Sequence, residues 1–293
     1  MQLENYPEKS EQAQTKDSIG EYKTFRLPKH RELLGDLERM ATKHPILVLS
    51  EFDVTEARDL LQKHKVTTGE TISFTAWIIR CISEAVSEDK MVQAYRKGKQ
   101  LVVFEDVDVA FMMDKASQFG ELVAGSIVRK ANEKSVRQIH EEIRAAQAEK
   151  TIQGTLVGEG EDARLAGLFQ SLPSAIRRLF GRWYSGNPKL RKKTQGTVGI
   201  TSVGNILGTQ TGAWGCPIVT GMYPLMFGIS GISRKPGISE EKIEPREFLS
   251  MSVMLDHDAV DGAEAARFLR RLGELFTQAY GLEGDILLGS RLG

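Results

Sequence analysis

The chain has almost no cysteine: two residues in 293, Cys81 and Cys216, both in apolar stretches and neither in a C-x-x-C pair. That scarcity excludes a disulfide framework, argues against a zinc or other metal site, and fits a reducing, cytoplasmic setting. Neither sign of charge predominates, because lysine plus arginine and aspartate plus glutamate both number 39, so no global field draws the protein to nucleic acid or anionic lipid. No apolar run is long enough to span a bilayer, and the polar N-terminus MQLENYPEKSEQAQTKD is unlike a secretory signal. Internal repeats and heptad arrays are absent, and no glycine-rich phosphate loop interrupts the strands and helix expected between residues 101 and 150.

What is present is a succession of short apolar strands and amphipathic helices. Residues 1–24 read as a flexible tail. Leu33, Leu34, Leu37 and Met40 predict a helix over 27–43 that stops before His44-Pro45. ILVLSEFDVT then reads as a strand, with Thr55 capping a helix, TEARDLLQKHK, that ends before the Thr-Thr-Gly turn. From Ser73 a mostly buried helix carries Trp77, Ile78, Cys81, Ile82 and Val86 on one stripe. Strands are expected within 101–112 and 122–129, a helix from Ser135 to Lys150, and further strands at 196–204, 217–236 and 248–257. The fold class is α/β: a two-layer sandwich in which a mixed sheet is covered by helices, forming one domain over 25–293.

The stretch 248–276, FLSMSVMLDHDAVDGAEAARFLRRLGELF, organises the rest. Leu249, Met251, Val253 and Leu255 alternate and His257 continues their parity, while Asp261 with Glu264 forms a capping box that opens an amphipathic helix. A histidine at the end of a strand, within a turn of a helix N-terminus, is favoured in the neutral form that a general base needs. Asp261 is fully explained as the helix cap and Gly262 as part of a tight turn. In the strand GTVGITSVG, the central glycine marks a close approach to the backbone, and Thr197, Gly199 and Thr201 face away from Val198 and Ile200.

Residues 164–193 contain eight basic side chains and no acid, interleaved with apolar ones. They read as a helical hairpin, broken at Pro173 and at Gly186-Asn187-Pro188, whose apolar face packs on the domain or on a neighbouring subunit. The other readings are a surface for ligand phosphates, for an acidic partner or for a membrane, the last disfavoured because the apolar face is interrupted.

The H-x-x-x-D-G pattern of 257–262, the strand block GTVGITSVG and the early block SEFDVTEARDLL occur in the same order as their counterparts in a known family. Over roughly residues 25–282 the chain resembles the catalytic domain of the dihydrolipoamide acyltransferases of 2-oxoacid dehydrogenase complexes, and the related chloramphenicol acetyltransferases, whose fold it is expected to share. The resemblance implies coenzyme A as substrate, His257 as general base on the attacking thiol, and a strand hydroxyl that stabilises the tetrahedral oxyanion. Thr201 falls in that place, with Ser202 as the fallback contact. Asp261 takes a supporting, orienting role through a buried ion pair, for which Arg31 is the nearest arginine. The basic helical segment 164–193 stands as an insertion, and its Arg177, Arg178 and Arg182 are candidates for binding coenzyme phosphates or a lipoylated partner. A homotrimer, or a larger assembly, with its site between adjacent subunits is implied.

Two features depart from the family pattern. Asp258 stands where relatives have arginine and would tend to raise the pKa of the neighbouring base. The polar residues ahead of the catalytic region are not expected to form a lipoyl domain, so the chain is expected to carry no covalent lipoyl group and to receive its acyl acceptor in trans. The competing readings are a catalytically degenerate trimeric scaffold or regulatory binding protein, and a transferase for a small hydroxylated compound.

Overall fold

The strand alternation read from the sequence becomes two distinct faces of one sheet. The computed structural model describes residues 13–17, 20–24, 44–115, 122–148, 173–202, 215–239 and 241–283. The predicted helix at 27–43 with Arg31, the connector 151–163 and the loop following Ser202 lie outside those residues. Within the segment expected to be a flexible tail, β1 (Ala13–Asp17) and β2 (Gly20–Thr24) pair as an antiparallel two-stranded ladder.

The central sheet contains β3 (Pro45–Asp53), β6 (Val109–Lys115), β7 (Leu122–Val128), β8 (Val198–Ser202), β9 (Leu225–Ser239) and β10 (Lys242–Asp256), in the order β3-β10-β9-β8-β6-β7. β8 runs parallel to both β6 and β9, and the other pairs are antiparallel. A separate small hairpin joins β4 (Tyr95–Lys97) to β5 (Gln100–Val102). The α-helices among the described residues are α1 (Thr55–Thr68), α2 (Phe74–Glu88), α3 (Val136–Ala148), α4 (Ser174–Ser185), α5 (Pro188–Gln195) and α6 (Gly262–Thr277).

The registers place core residues in rows across the sheet. Val109, Val198, Leu225 and Leu255 form one row, and Phe111, Ile200, Phe227 and Val253 the next, all buried on the side covered by α2, α3 and α6. The stripe predicted for α2 is buried throughout, and Ala265, Leu272 and Phe276 of α6 meet it together with Phe268 and Leu275. Trp77 anchors the layer, its indole N–H donating to the Tyr280 carbonyl at 3.1 Å and its ring lying 5.1 Å from that of Phe276. Side chains of alternate parity, Ala110, Met226 and Met254, form a smaller cluster with Val219 and Tyr223 on the opposite face. The expected two-layer mixed-sheet architecture is therefore the one observed.

One cap differs from expectation. Thr55 lies inside the first turn of α1, and the N-cap is Val54, which makes no side-chain cap. The Thr55 hydroxyl instead donates to Asp53 Oδ1 at 2.6 Å and accepts from the Glu247 N–H at 2.8 Å, which ties the end of β3 to β10. Nor does the helix stop before the Thr-Thr pair. The hydroxyls of Thr67 and Thr68 bond back to the carbonyls of Lys63 and His64, and the chain leaves the helix only at Gly69, whose φ of 76° suits a left-handed cap.

Candidate active site

β10 ends at Asp256, so His257 sits one residue beyond the strand rather than on its buried face, and its side chain is exposed. Its position is fixed through the backbone: the His257 N–H donates to the His44 carbonyl at 2.9 Å, which extends the β3–β10 ladder by one rung. The Asp256 carbonyl accepts from the N–H groups of Ala259 and Val260, and the Asp256 Oδ1 accepts from the Asp258 N–H at 3.0 Å, closing a tight turn behind the histidine. Burial pushes the Asp256 carboxyl above the usual carboxylate range, against the Asp258 N–H and nearby Arg191 and His44.

The turn then enters α6 through the predicted capping box. Glu264 N–H donates to Asp261 Oδ1 at 2.8 Å, and Asp261 N–H donates to Glu264 Oε2 at 2.7 Å. Hydrogen bonding from the Glu264 N–H holds Asp261 below the usual carboxylate range against the opposing effect of desolvation, with smaller contributions from the Ala263 N–H, Arg267 and His257. Asp261 is exposed within the chain, so its helix-capping role is explicit, whereas the expected arginine partner, Arg31, lies outside the described residues.

Asp258 is engaged differently from the sequence expectation. One carboxylate oxygen accepts from Arg96 Nη1 at 2.8 Å, and the other lies 3.2 Å from His44 Nδ1. Arg96, followed by burial in the opposing direction and then His44, sets the pKa of Asp258, which is lowered. The carboxylate next to the histidine is thus taken up by two partners from other parts of the chain. Their sequence separations of 162 and 214 residues explain why neither was recognisable from local pattern.

β8 presents Thr201 and Ser202 to opposite sides of the sheet. Thr201 pairs in register with Gly228, which in turn pairs with Ser252, on the face of Met226 and Met254. Ser202 pairs with Ile229, on the helix-covered side, and is itself exposed at the strand end. The glycine expected to mark a close approach does so: a Cβ at Gly199 would come within 2.6 Å of the Tyr223 ring. Within one chain the structure does not bring Thr201 to His257. Thr201 aligns across the sheet with Ser252, and the five further residues to His257 correspond to about 17 Å along the strand and about 10 Å across two strands, roughly 20 Å in all.

The basic segment forms the expected helical pair, α4 and α5, in its described part. α5 is bound to the domain: Arg191 lies over the buried Tyr95 ring at 4.2 Å, and Lys192 donates to Asp106 at 3.0 Å. Gln195 links the Tyr95 hydroxyl, the Tyr184 hydroxyl and the Met222 carbonyl. Burial pushes Tyr95 up to about 12, with Arg191 and Gln195 opposing. Of the phosphate-binding candidates, all three lie on α4; Arg182 is exposed, Arg177 is half-buried, and the side chain of Arg178 lies outside those described.

Residues 32–159 and 168–282 match the family model of the 2-oxoacid dehydrogenases acyltransferase (catalytic domain), and the chain belongs to that family. The second matched segment takes in most of the basic stretch 164–193, including both of its described helices. Among curated proteins, the chain is 30% identical over 135 residues to the dihydrolipoyllysine-residue acetyltransferase component of the pyruvate dehydrogenase complex of Acholeplasma laidlawii, covering 46% of this chain and 24% of that protein. It is 25% identical over 228 residues to the corresponding protein of Cupriavidus necator, covering 77% of this chain and 34% of that one. The chain therefore spans about a third or less of these relatives' length. Its fold is similar to that of the cubic core of a pyruvate dehydrogenase multienzyme complex, with a TM-score of 0.60, 20% identity and coverage of 88% of this chain and 93% of that one.

Proposed function

We propose that the protein is a coenzyme A-dependent acyltransferase that exchanges an acyl group between coenzyme A and a second thiol. His257 removes the proton from the attacking thiol, and that sulfur adds to the thioester carbonyl to give a tetrahedral oxyanion. The Thr201 hydroxyl donates a hydrogen bond to the oxyanion, where charge develops. Collapse of the intermediate breaks the original carbon–sulfur bond, and the proton held by His257 goes to the departing thiolate. Asp261 supports the turn that presents the histidine.

The observation that carries this reading is the exposure of His257 at a rigid strand-to-helix junction in a chain of this family, with Thr201 on a separate strand. The separation of about 20 Å favours a site shared between subunits, with the histidine from one and the hydroxyl from its neighbour, and the family resemblance makes that oligomer a homotrimer. A larger cage would preserve that pairing. The acyl acceptor, a lipoylated protein or a small molecule, is supplied in trans. The scaffold reading drew support from Asp258, and the engagement of that carboxylate by Arg96 and His44 removes much of its force. Turnover of acetyl-coenzyme A with dihydrolipoamide is the direct test: His257→Ala should lower kcat by about 10²- to 10⁴-fold, and an unchanged kcat would overturn the mechanism.

A further inference from the structure

Helix α4 carries a feature that the proposed chemistry does not use. Ile176, Leu179, Phe180 and Trp183 recur at helical spacing, and at roughly 100° per residue they share one stripe. All four are exposed, at 49%, 72%, 43% and 57%. The helix is held to the domain along a different side, through buried Gly181 and through Tyr184, whose hydroxyl bonds Thr194 at 2.6 Å and Gln195 at 3.0 Å. Arg182 is exposed on one flank of the apolar stripe, the half-buried Arg177 lies beyond Tyr184 on the other, and Lys189 and Lys193 of the adjoining helix are exposed. Pro173 and Gly186, which make the apolar pattern look interrupted in the sequence, are the two ends of this helix, and the stripe between them is unbroken.

We propose that α4 is an interfacial helix that lays this stripe into the headgroup region of an anionic lipid bilayer. Ile176, Leu179, Phe180 and Trp183 enter the acyl boundary, while flanking cations meet the lipid phosphates. A bilayer requires no complementary contour, and the absence of any acid from 164–193 matches a negatively charged surface. No helix among the described residues is long and apolar enough to cross a membrane, so the contact lies on the surface.

Flotation of the full chain with vesicles of phosphatidylcholine, alone or mixed with phosphatidylglycerol, tests the proposal without reference to catalysis. Partition onto the anionic vesicles is expected, with weakening as salt is raised. Leu179→Glu should reduce it by about tenfold or more, and the milder Leu179→Ser by less, with thermal melting and oligomer mass unchanged because Leu179 is exposed. Failure to bind anionic vesicles, or equal binding by Leu179→Glu, would overturn the proposal. So would a Leu179→Glu variant that changes oligomer mass while the wild type ignores vesicles, since the stripe would then be a contact between protein chains.

Discussion

His257 and Thr201 are held on the same rigid sheet yet about 20 Å apart, two strands across and five residues along. A sheet cannot fold this distance away, so two copies of the chain must cooperate if both residues serve one reaction centre. Co-expression of His257→Ala with Thr201→Ala subunits should therefore restore activity that neither variant has alone. Random assembly at equal expression would pair an intact histidine with an intact threonine at about a quarter of all sites, roughly one site in each mixed trimer. Activity no higher than the summed single variants would exclude a shared site.

The two hydroxyls of β8 point to opposite faces, which makes their roles separable. Thr201→Ala should lower kcat by about 10²- to 10³-fold, as expected for loss of one oxyanion donor. Thr201→Ser should retain most of the rate because it keeps the hydroxyl with a less restricted rotamer. Ser202→Ala should change kcat little. Steady-state kinetics on the three variants would assign the donor, and a larger loss in Ser202→Ala than in Thr201→Ala would reverse the assignment.

Arg96 reaches the histidine turn through its ion pair with Asp258 and a weaker electrostatic interaction with Asp256, so it is a positioning residue. Arg96→Gln is expected to lower kcat by roughly threefold to tenfold with little change in the KM for coenzyme A. Arg96→Lys should recover part of the loss by supplying a single charge without the guanidinium fork. An equal kcat in all three proteins would leave the ion pair without influence on the histidine.

Asp53 offers a test of stability against pH. Partial burial would raise its pKa, but hydrogen bonds from the Thr55 hydroxyl, the Thr55 N–H and Arg246 outweigh burial and lower it. A carboxylate with a lowered folded-state pKa stabilises the fold above its unfolded value, and that contribution disappears as pH falls through the folded value. Asp53→Asn should thus cost about 1–3 kcal/mol at neutral pH, with the gap to wild type closing in acid. Thermal melts from pH 7 to pH 3 would reveal the convergence, whereas a gap that widens on acidification would contradict it.

The sequence by itself determined the elements whose signals are local. The capping box of Asp261 and Glu264, the buried stripe of α2 and the alternation in β10 each depend on residues within a few positions of one another, so the periodicity and the capping chemistry were readable directly. The family motifs were equally local, which is why His257 and Thr201 could be named from them. Thr55 was misplaced because its hydroxyl serves Asp53 and Glu247, and the latter lies on a strand 192 residues away. Only the tertiary structure could decide what pairs across such distances. It gave Asp258 to Arg96 and His44, aimed Thr201 and Ser202 at different faces, and set Thr201 far from His257. It also turned the outward stripe of α4 away from the core, because burial depends on what the rest of the chain covers and not on the helix's own spacing.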